Sequence, residues 1–294
     1  MAFFSSVEHA RDALAGTGYI VDEELATVVY LGDAMGKPVL LEGPAGTGKT
    51  ELAKAVATAA GATLVRLQCY EGLDEARALY EWNYRKQLLR IQTAQAGQQQ
   101  DHAWDDLQDD IFSEEFLLER PLLAAIRHPG PLVLLIDETD KADVEVEGLL
   151  LELLSDFQVS IPELGTIVAV QRPFVVLASN ATRDLSEALR RRCLHAQVEY
   201  PDAARERAIV RSRVPGVSEQ LAGQVVRAVR AMRALDLRKP PSVAETIDWA
   251  GAVMALGYDE LGDAVAGRTL GVVLKNDQDK TKVREQLDLA ATGS

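Results

Sequence analysis

The stretch KPVLLEGPAGTGKTELAKAVATAAGA, residues 37–62, runs from a short apolar segment through a glycine-rich loop into an alanine-rich helix. Its core, Gly43 to Thr50, fits the pattern G-x-x-x-x-G-K-[ST], which demands a strand before it and a helix after it. PVLLE and ELAKAVATAA meet both demands, and Gly61 is suited to cap the helix end. Gly43, Gly46 and Gly48 adopt backbone angles closed to other residues and let amides approach oxygen atoms closely. Those amides converge on a helix N-terminus, where unpaired N–H groups and the helix dipole attract phosphate oxygens. Lys49 then reaches β- and γ-phosphates, and Thr50 offers its hydroxyl to Mg2+, which keeps several waters and needs few protein ligands. The candidate nucleotide-binding set is Gly43, Pro44, Ala45, Gly46, Thr47, Gly48, Lys49, Thr50 and Glu51. The competing reading is an ordinary flexible glycine turn before a helix; the flanking strand and helix weigh against it.

A second segment, PLVLLIDETDKAD, holds an uninterrupted apolar run from Leu132 to Ile136, as expected of a strand buried on both faces of a parallel sheet. Ligands gather at the carboxyl ends of such strands. Asp137 is therefore placed to hold the magnesium, directly or through water, and Glu138 to orient or deprotonate an attacking water. Alone, an Asp-Glu pair after a strand is more often a polar loop; coupled to the glycine loop it completes a hydrolytic site. Lys141 and Asp143 read as solvated helix-start residues. A third run, PFVVLASN, ends at Asn180, which can hydrogen-bond the nucleophilic water or the γ-phosphate from a neighbouring strand tip; without the first two motifs it is only a turn former.

SEALRRRC then sets Arg190, Arg191 and Arg192 side by side in a chain of 45 acidic and 31 basic residues. Adjacent charges repel, so the run is a solvated face or a basic helix end against acidic surface, unless a strongly negative group is brought to it by this chain or a neighbouring copy.

The acidic balance, with pI near 4.8, lacks the footprint of a protein that coats nucleic acid or anionic membrane. Two cysteines and four histidines without ligand spacing indicate neither a disulfide framework nor a zinc site. The start, MAFFSSVEHARDALAG, lacks the features of an export signal, and no segment offers about 18 uninterrupted apolar residues, so a cytoplasmic protein without a membrane partner is expected.

GPAGTGKT, LVLLIDET, LASN and LSEALRRRC, in that order, resemble the AAA+ ATPases and, more narrowly, the MoxR family. The resemblance implies an α/β P-loop NTPase fold: a three-layer sandwich around a five-stranded parallel sheet of order 5-1-4-3-2, with a small C-terminal helical lid domain. It implies ATP and Mg2+ as ligands and ATP hydrolysis as the activity. Matched through its L-x-E-A start, LSEALRRRC places an arginine finger on Arg192, with Arg191 or Arg190 sharing the role. Such a finger contacts the γ-phosphate held by an adjacent subunit of a ring, usually a hexamer. A planar, permanently charged guanidinium there stabilises the transferring phosphoryl group by about 4 to 7 kcal/mol.

LQCYEGLDEARALYEWNYRKQLLRIQ and PPSVAETIDWA look like the MoxR branch that accompanies aerobic carbon monoxide dehydrogenase and related molybdenum hydroxylases, the CoxD-like case. The implied role is an ATP-driven chaperone that matures a client metalloenzyme by assisting assembly of its copper- and sulfur-containing molybdenum site, working with a von Willebrand factor A domain protein. One departure stands out. Many family members carry a second sensor arginine near the start of a lid helix, where this chain has Ala244; Arg238 and Lys239, just upstream, are the cations that can stand in.

Strands are expected at about 38–42, 63–69, 131–137, 173–179 and 195–199, separated by stretches long enough for helical crossovers. Residues 1–200 form the nucleotide-binding α/β domain on this reading and 201–294 the helical lid. VDEELATVVYLGDAMG has helical spacing and packs on the nucleotide-binding domain. In the long connection from Tyr70 to Gly130, ALYEWNYRKQLL is expected as a helix and the glutamine-rich middle, in the run TAQAGQQQDHAWDD, as a mobile loop or insert. Tyr80, Trp82 and Tyr84 can grip a client at a pore, but alternating residues of a helix do not share a face, and helix packing is the plainer use. EVEGLLLELLSDF reads as a helix and QVSIPELGTIVAVQ as a hairpin, either pore-facing or merely superficial. Residues 275–294 are polar and expected to fray.

Three functions fit these motifs. A protein-remodelling ATPase ring is favoured. A nucleic-acid motor or loader on the same fold is disfavoured by the acidic balance. A nucleotide-gated binding module with little turnover needs neither Glu138 nor Arg192.

Overall fold

The computed structural model describes residues 2–96 and 111–286. Among them are strands β1 Val39–Glu42, β2 Thr63–Gln68, β3 Tyr80–Trp82, β4 Leu117–Glu119, β5 Leu132–Asp137, β6 Gln158–Ile161, β7 Gly165–Val168, β8 Phe174–Ser179 and β9 Leu194–Gln197. Five form one sheet in the order β2-β5-β8-β1-β9, the expected 5-1-4-3-2 order read from the other edge. The pairs β2-β5, β5-β8 and β8-β1 are parallel. The chain has the α/β P-loop fold, followed by C-terminal helices.

β1, β5 and β8 are buried along their whole length, which is why each is an unbroken apolar run up to its last residue. β2, at the sheet edge, exposes Thr63 and Arg66. Register brings the polar strand ends together: Gln68 lies beside Asp137, and Glu42 beside Ser179.

The chain divides into two compact units built from alternating segments. The first comprises Met1–Ala10, Glu23–Glu42 and Val56–Ala196. Its core packs Leu40, Leu134, Ile136 and Leu177 against Leu122, Leu123 and Ile126 of the helix Pro121–Arg127 and Val146, Leu150 and Leu153 of the helix Val144–Asp156. The second of these helices starts at Asp143, whose carboxylate accepts the Val146 N–H at 3.0 Å, and stops at Phe157 in the left-handed region. Asp143 is thus a helix cap. Each fully buried leucine contributes about 1.5–3 kcal/mol of apolar burial. β6 and β7 form the expected antiparallel hairpin around Pro162–Gly165.

One expectation in this unit fails. Tyr80–Trp82 is not helical but pairs antiparallel with Leu117–Glu119, a partner far away in sequence. Trp82 is buried edge-on against Phe112, with ring centroids 5.2 Å apart, while Tyr84 begins the next helix and is 66% exposed. Aromatic residues suit a half-buried strand, and pairing with β4 overrides the helical pattern. The expected mobile loop lies, from Gly97 onward, outside the described residues.

The second unit comprises Arg11–Asp22, Gly43–Ala55 and Gln197–Ser294. Its helices Ala203–Arg213, Glu219–Arg233, Val243–Ala255 and Asp263–Val273 enclose Val225, Val229, Met232, Trp249, Val253 and Leu270. The Trp249 indole donates to Thr269 Oγ1 at 2.7 Å, which satisfies its one polar atom. Residues expected to fray include a helix, Asp277–Gln286. Its Val283 is fully buried, and Asp279 accepts the backbone N–H groups of Arg238 at 3.0 Å and Lys239 at 3.2 Å. Two buried side chains outweigh a polar composition.

At the centre of the helices Arg233 holds Glu206 through two hydrogen bonds of 2.8 Å, lies 4.2 Å over the Tyr200 ring and donates to Pro241 O. Glu206 is fully buried. Replacing Arg233 by Met strands that carboxylate, with Thr246 Oγ1 as its remaining side-chain donor. The expected loss is about 3–5 kcal/mol, read as a lower urea midpoint with an unchanged slope.

Candidate functional site

The sequence-predicted residues fall into separate groups, one set in each unit. In the second unit Pro44, Ala45 and Gly46 form an exposed crest, while Thr47 and Lys49 are buried below it. The loop is tightly constrained. A methyl built on Gly43 would lie 2.0 Å from Val198 O, and one on Gly46, whose φ is 74°, would lie 2.2 Å from Ser242 Cβ. Lys49 Nζ donates to Gly43 O and Pro44 O, both at 2.7 Å, and Thr47 Oγ1 donates to Pro44 O. The ammonium is thereby held under the crest, at the first residue of the helix Lys49–Ala60. Thr50 follows it in the same turn. Glu51 faces Lys54 at 2.6 Å and Arg213 at 3.5 Å, so it acts in surface ion pairs.

Two features of this loop were not read from the sequence. Val243 N–H donates to Gly46 O at 3.2 Å, and Ser242 caps that helix in a reciprocal capping box with Glu245. The helix carrying Ala244 thus touches the glycine loop through backbone and Ser242 rather than through a long cation. Arg238 and Lys239 are fixed by their backbone amides to Asp279, as described above. Tyr19 is the second feature: it is buried with its ring edge beside Gly48, and burial, reinforced by Asp22 and Glu51 against the opposing Arg205, pushes its hydroxyl up to about 12. It stays a neutral hydrogen-bonding group at any physiological pH.

In the first unit Asp137 ends β5, buried, with Oδ2 2.7 Å from Arg66 Nη2 and Oδ1 accepting the Glu138 N–H at 3.0 Å. Glu138 itself sits in the left-handed region at φ 52°, a costly conformation for a non-glycine residue that turns the chain sharply away from the strand. Its carboxylate lies 2.6 Å from Lys141 Nζ. Lys141, read as solvated, is therefore a partner of the candidate base. Thr139 Oγ1 bonds Ile136 O at 3.0 Å and Ala178 O at 3.2 Å, closing the turn onto β8.

Asp140 is the residue that sequence reasoning missed here. Buried, it accepts the Asn180 N–H at 3.0 Å and both the backbone and the hydroxyl of Thr182, and so fixes Asn180 at the tip of β8. Burial alone would raise its pKa, but these hydrogen bonds outweigh it and hold the carboxyl below its ordinary value. An acidic turn gave no signal of this, because the donors come from a segment 40 residues on. Cys69 is buried nearby; burial first, then Asp137, Asp140 and Glu138, push its thiol up to about 12 and leave it inert.

The three arginines also belong to the first unit, and they part company. Arg190 forms a two-pronged pair with the buried carboxylate of Glu42 at 2.9 and 2.8 Å, and His195 Nε2 reaches the same group at 2.8 Å. Arg190 is thereby tied to a buried carboxylate of its own chain. Arg191, 77% exposed at its side chain, pairs along its own helix with Glu187. Arg192 donates from Nε to Ser155 Oγ at 2.6 Å and from Nη1 to Ala188 O at 2.9 Å.

The family model described as AAA domain (dynein-related subfamily) matches residues 38–193, more than half of the chain. The chain belongs to this family. It is an AAA+ P-loop NTPase, one of a class that binds nucleotide, generally hydrolyses ATP and generally assembles as rings. Its similar proteins include an uncharacterized protein, SH1500, of Staphylococcus haemolyticus, 22% identical over 267 residues that cover 87% of this chain and 91% of the other. The denitrification regulatory protein NirQ of Stutzerimonas stutzeri is 25% identical over 218 residues, covering 72% and 69%. Among solved structures, a mutant RuvB of Thermotoga maritima matches with a TM-score of 0.51 at 17% identity over 94% of this chain and 85% of that one, a likeness of fold.

Two outcomes follow from the loop and the turn of this AAA+ chain. Gly46→Ala forces a left-handed alanine against Ser242; it is expected to lose about 1–2 kcal/mol for the backbone alone, with a further loss from the clash. Because Ser242→Gly also removes the helix cap, the cost of Gly46→Ala should be smaller, by the clash component, when measured in the Ser242→Gly background in thermal melts. Asp140 has a folded pKa below its unfolded value of 3.8, so its contribution to stability is full above that value and is lost as pH falls through the folded one. Asp140→Asn should therefore be less stable at neutral pH, and its stability should fall less steeply than that of the unsubstituted chain below about pH 4.

Proposed function

We propose that this AAA+ chain is an ATP-hydrolysing machine of the MoxR type that remodels or matures a client metalloenzyme. The single observation that carries the nucleotide half is the glycine loop, where two positions exclude any side chain and a buried ammonium lies beneath three exposed residues at a helix N-terminus. Phosphate chemistry suits such a cradle: backbone amides, a helix dipole and one fixed cation. Gly43–Glu51 would hold the triphosphate, and Thr50 and Asp137, both hard oxygen donors, would hold Mg2+. Bound magnesium would neutralise charge on the phosphate oxygens.

The remaining roles belong to side chains of this chain. Glu138 takes or directs the proton of the attacking water, and Lys141 holds its carboxylate in one orientation. Asn180, fixed by Asp140, offers its amide to the same water or to the γ-phosphate. Arg192, with Arg191, serves a neighbouring subunit in a ring, probed most simply as a hexamer. Asp137 lies beside Arg66, in a nearly dry position. Residues 1–200 act as the nucleotide-binding domain and residues 201–294 as the lid, with Ser242 and Val243 reaching the glycine loop where other members use an arginine.

For the client, support comes from the resemblance of residues 67–92 and 240–250 to the branch that accompanies carbon monoxide dehydrogenase, and from the 25% identity to a denitrification regulatory protein. A molybdenum hydroxylase is the client class we propose, with a von Willebrand factor A domain protein as co-worker, in the cytoplasm. Among the described residues no helix is long and apolar enough to cross a membrane.

Lys49→Ala should remove detectable ATP binding in calorimetry with Mg2+. Glu138→Gln should keep ATP affinity and lower turnover by about 10²–10⁴-fold, the range for a positioned general base. Normal hydrolysis by the glutamine variant would refute the role of Glu138. Held in ATP, that variant should retain its client on purification; recovery of no metalloenzyme subunit from cells that express a molybdenum hydroxylase would refute the client class.

A further inference from the structure

The helix Glu187–Arg192 that carries the arginines has six residues. A helix so short has little stability of its own, so its orientation is set by what it is bonded to. Its anchors are specific. At its start, Ser186 caps the helix by accepting the Leu189 N–H, and the Ser186 N–H donates to Glu147 Oε2 at 3.1 Å. Glu147 Oε1 receives Arg183 Nη2 at 2.7 Å, and Arg183 Nε also donates to Asp140 O at 3.2 Å. At its end, Arg192 Nε meets Ser155 Oγ at 2.6 Å and Arg190 grips Glu42.

Each of these anchors belongs to β1, to the turn after β5 or to the helix that follows that turn. Glu42 is the last residue of β1, which runs directly into the glycine loop. Glu147 and Ser155 occupy the first and last turns of the helix Val144–Asp156, which follows the Glu138 turn. Glu147 is only 4% exposed, and a buried carboxylate is costly unless its oxygens are satisfied. An apolar residue would fill the space at no electrostatic cost. What it could not do is hold Arg183 with one oxygen and the N–H of Ser186, the cap of the arginine helix, with the other.

We propose that Glu147, together with Arg183 and Ser155, positions the arginines from within their own subunit, so that the Glu138 turn of one copy sets the placement of Arg191 and Arg192 at the site of the next. This rests on the ring-ATPase reading above. The three residues touch no nucleotide in this scheme; they act through the arginines.

The test mixes subunits. Lys49→Ala subunits lack a working cradle but keep their arginines, and Arg192→Ala subunits are the reverse; their mixture should regain turnover at the interfaces that combine an intact cradle with an intact arginine. Glu147→Gln alone should bind ATP with unchanged affinity in calorimetry and lose turnover about tenfold to a hundredfold, the scale of a misplaced catalytic group. Mixed with Lys49→Ala it should regain turnover as Arg192→Ala does. If Glu147→Gln stays as inactive in the mixture as alone while the Arg192→Ala control is restored, Glu147 serves its own site and the proposal is wrong. Full activity of Glu147→Gln alone overturns it equally. If the control mixture itself shows no restoration, the arginine assignment falls and takes this proposal with it. Should Glu147→Gln fail to fold in circular dichroism, Arg183→Gln, at a half-exposed side chain, carries the same mixing test with the same outcomes.

Discussion

Three adjacent strands with no exposed residue constrain everything else in the first unit. β5, β8 and β1 are covered on both faces, so a polar side chain within them would have to be desolvated without a partner. Polar groups therefore collect where the strands end. Register then does the rest: Asp137, Ser179 and Glu42 reach the same edge because the strands are parallel and in step. A parallel sheet with dry faces gives one edge on which chemistry can be built, and the chain uses it for the Asp137–Glu138 turn, the Asn180 tip and the Glu42 anchor.

The carboxylates of this molecule that are buried are not spread at random. Asp140 ties the turn after β5 to the tip of β8, Glu42 ties the end of β1 to the arginine helix, and Glu147 ties the helix Val144–Asp156 to the segment before that helix. In the second unit, Glu206 and Asp279 do the same for its helices, through Arg233 and through the amides of Arg238 and Lys239. Each joins segments distant in sequence. Paired buried charges contribute little net stability compared with apolar packing, but they admit only one geometry. That restriction matters most where irregular chain must be held still, and the loops after β5 and β8 are such places.

What could be read without coordinates was whatever depends on local pattern. The glycine loop, the apolar strands and the hairpin were legible because periodicity and turn chemistry agree there; the sheet order came only from the family resemblance that the ordered motifs carry. Asp140 and Glu42 were not, since a carboxylate in an acidic chain carries no mark of a donor 40 or 148 residues away. The β3-β4 pair failed for the same reason: YEW reads as part of a helix until its partner LLE is known. The Asp277–Gln286 helix was hidden by composition, because only Val283 and Asp279 are buried among its residues.

The division among the three arginines shows how far identical side chains diverge once each is given a position. Arg190 sits where its guanidinium meets a buried carboxylate, and a fork-to-fork pair of this kind fixes both orientation and distance. Its charge is spent on Glu42. Arg191 faces out from the same helix and makes an exposed pair with Glu187, which water screens. Arg192 lies between these extremes, bonded to a hydroxyl and a carbonyl, groups that orient a guanidinium without neutralising it. A cation intended for an anion from outside needs that combination: a fixed direction and an uncompensated charge. On the ring reading proposed above, and among the described residues, Arg192 meets that criterion best of the three, while Arg190 is the post to which the helix is tied.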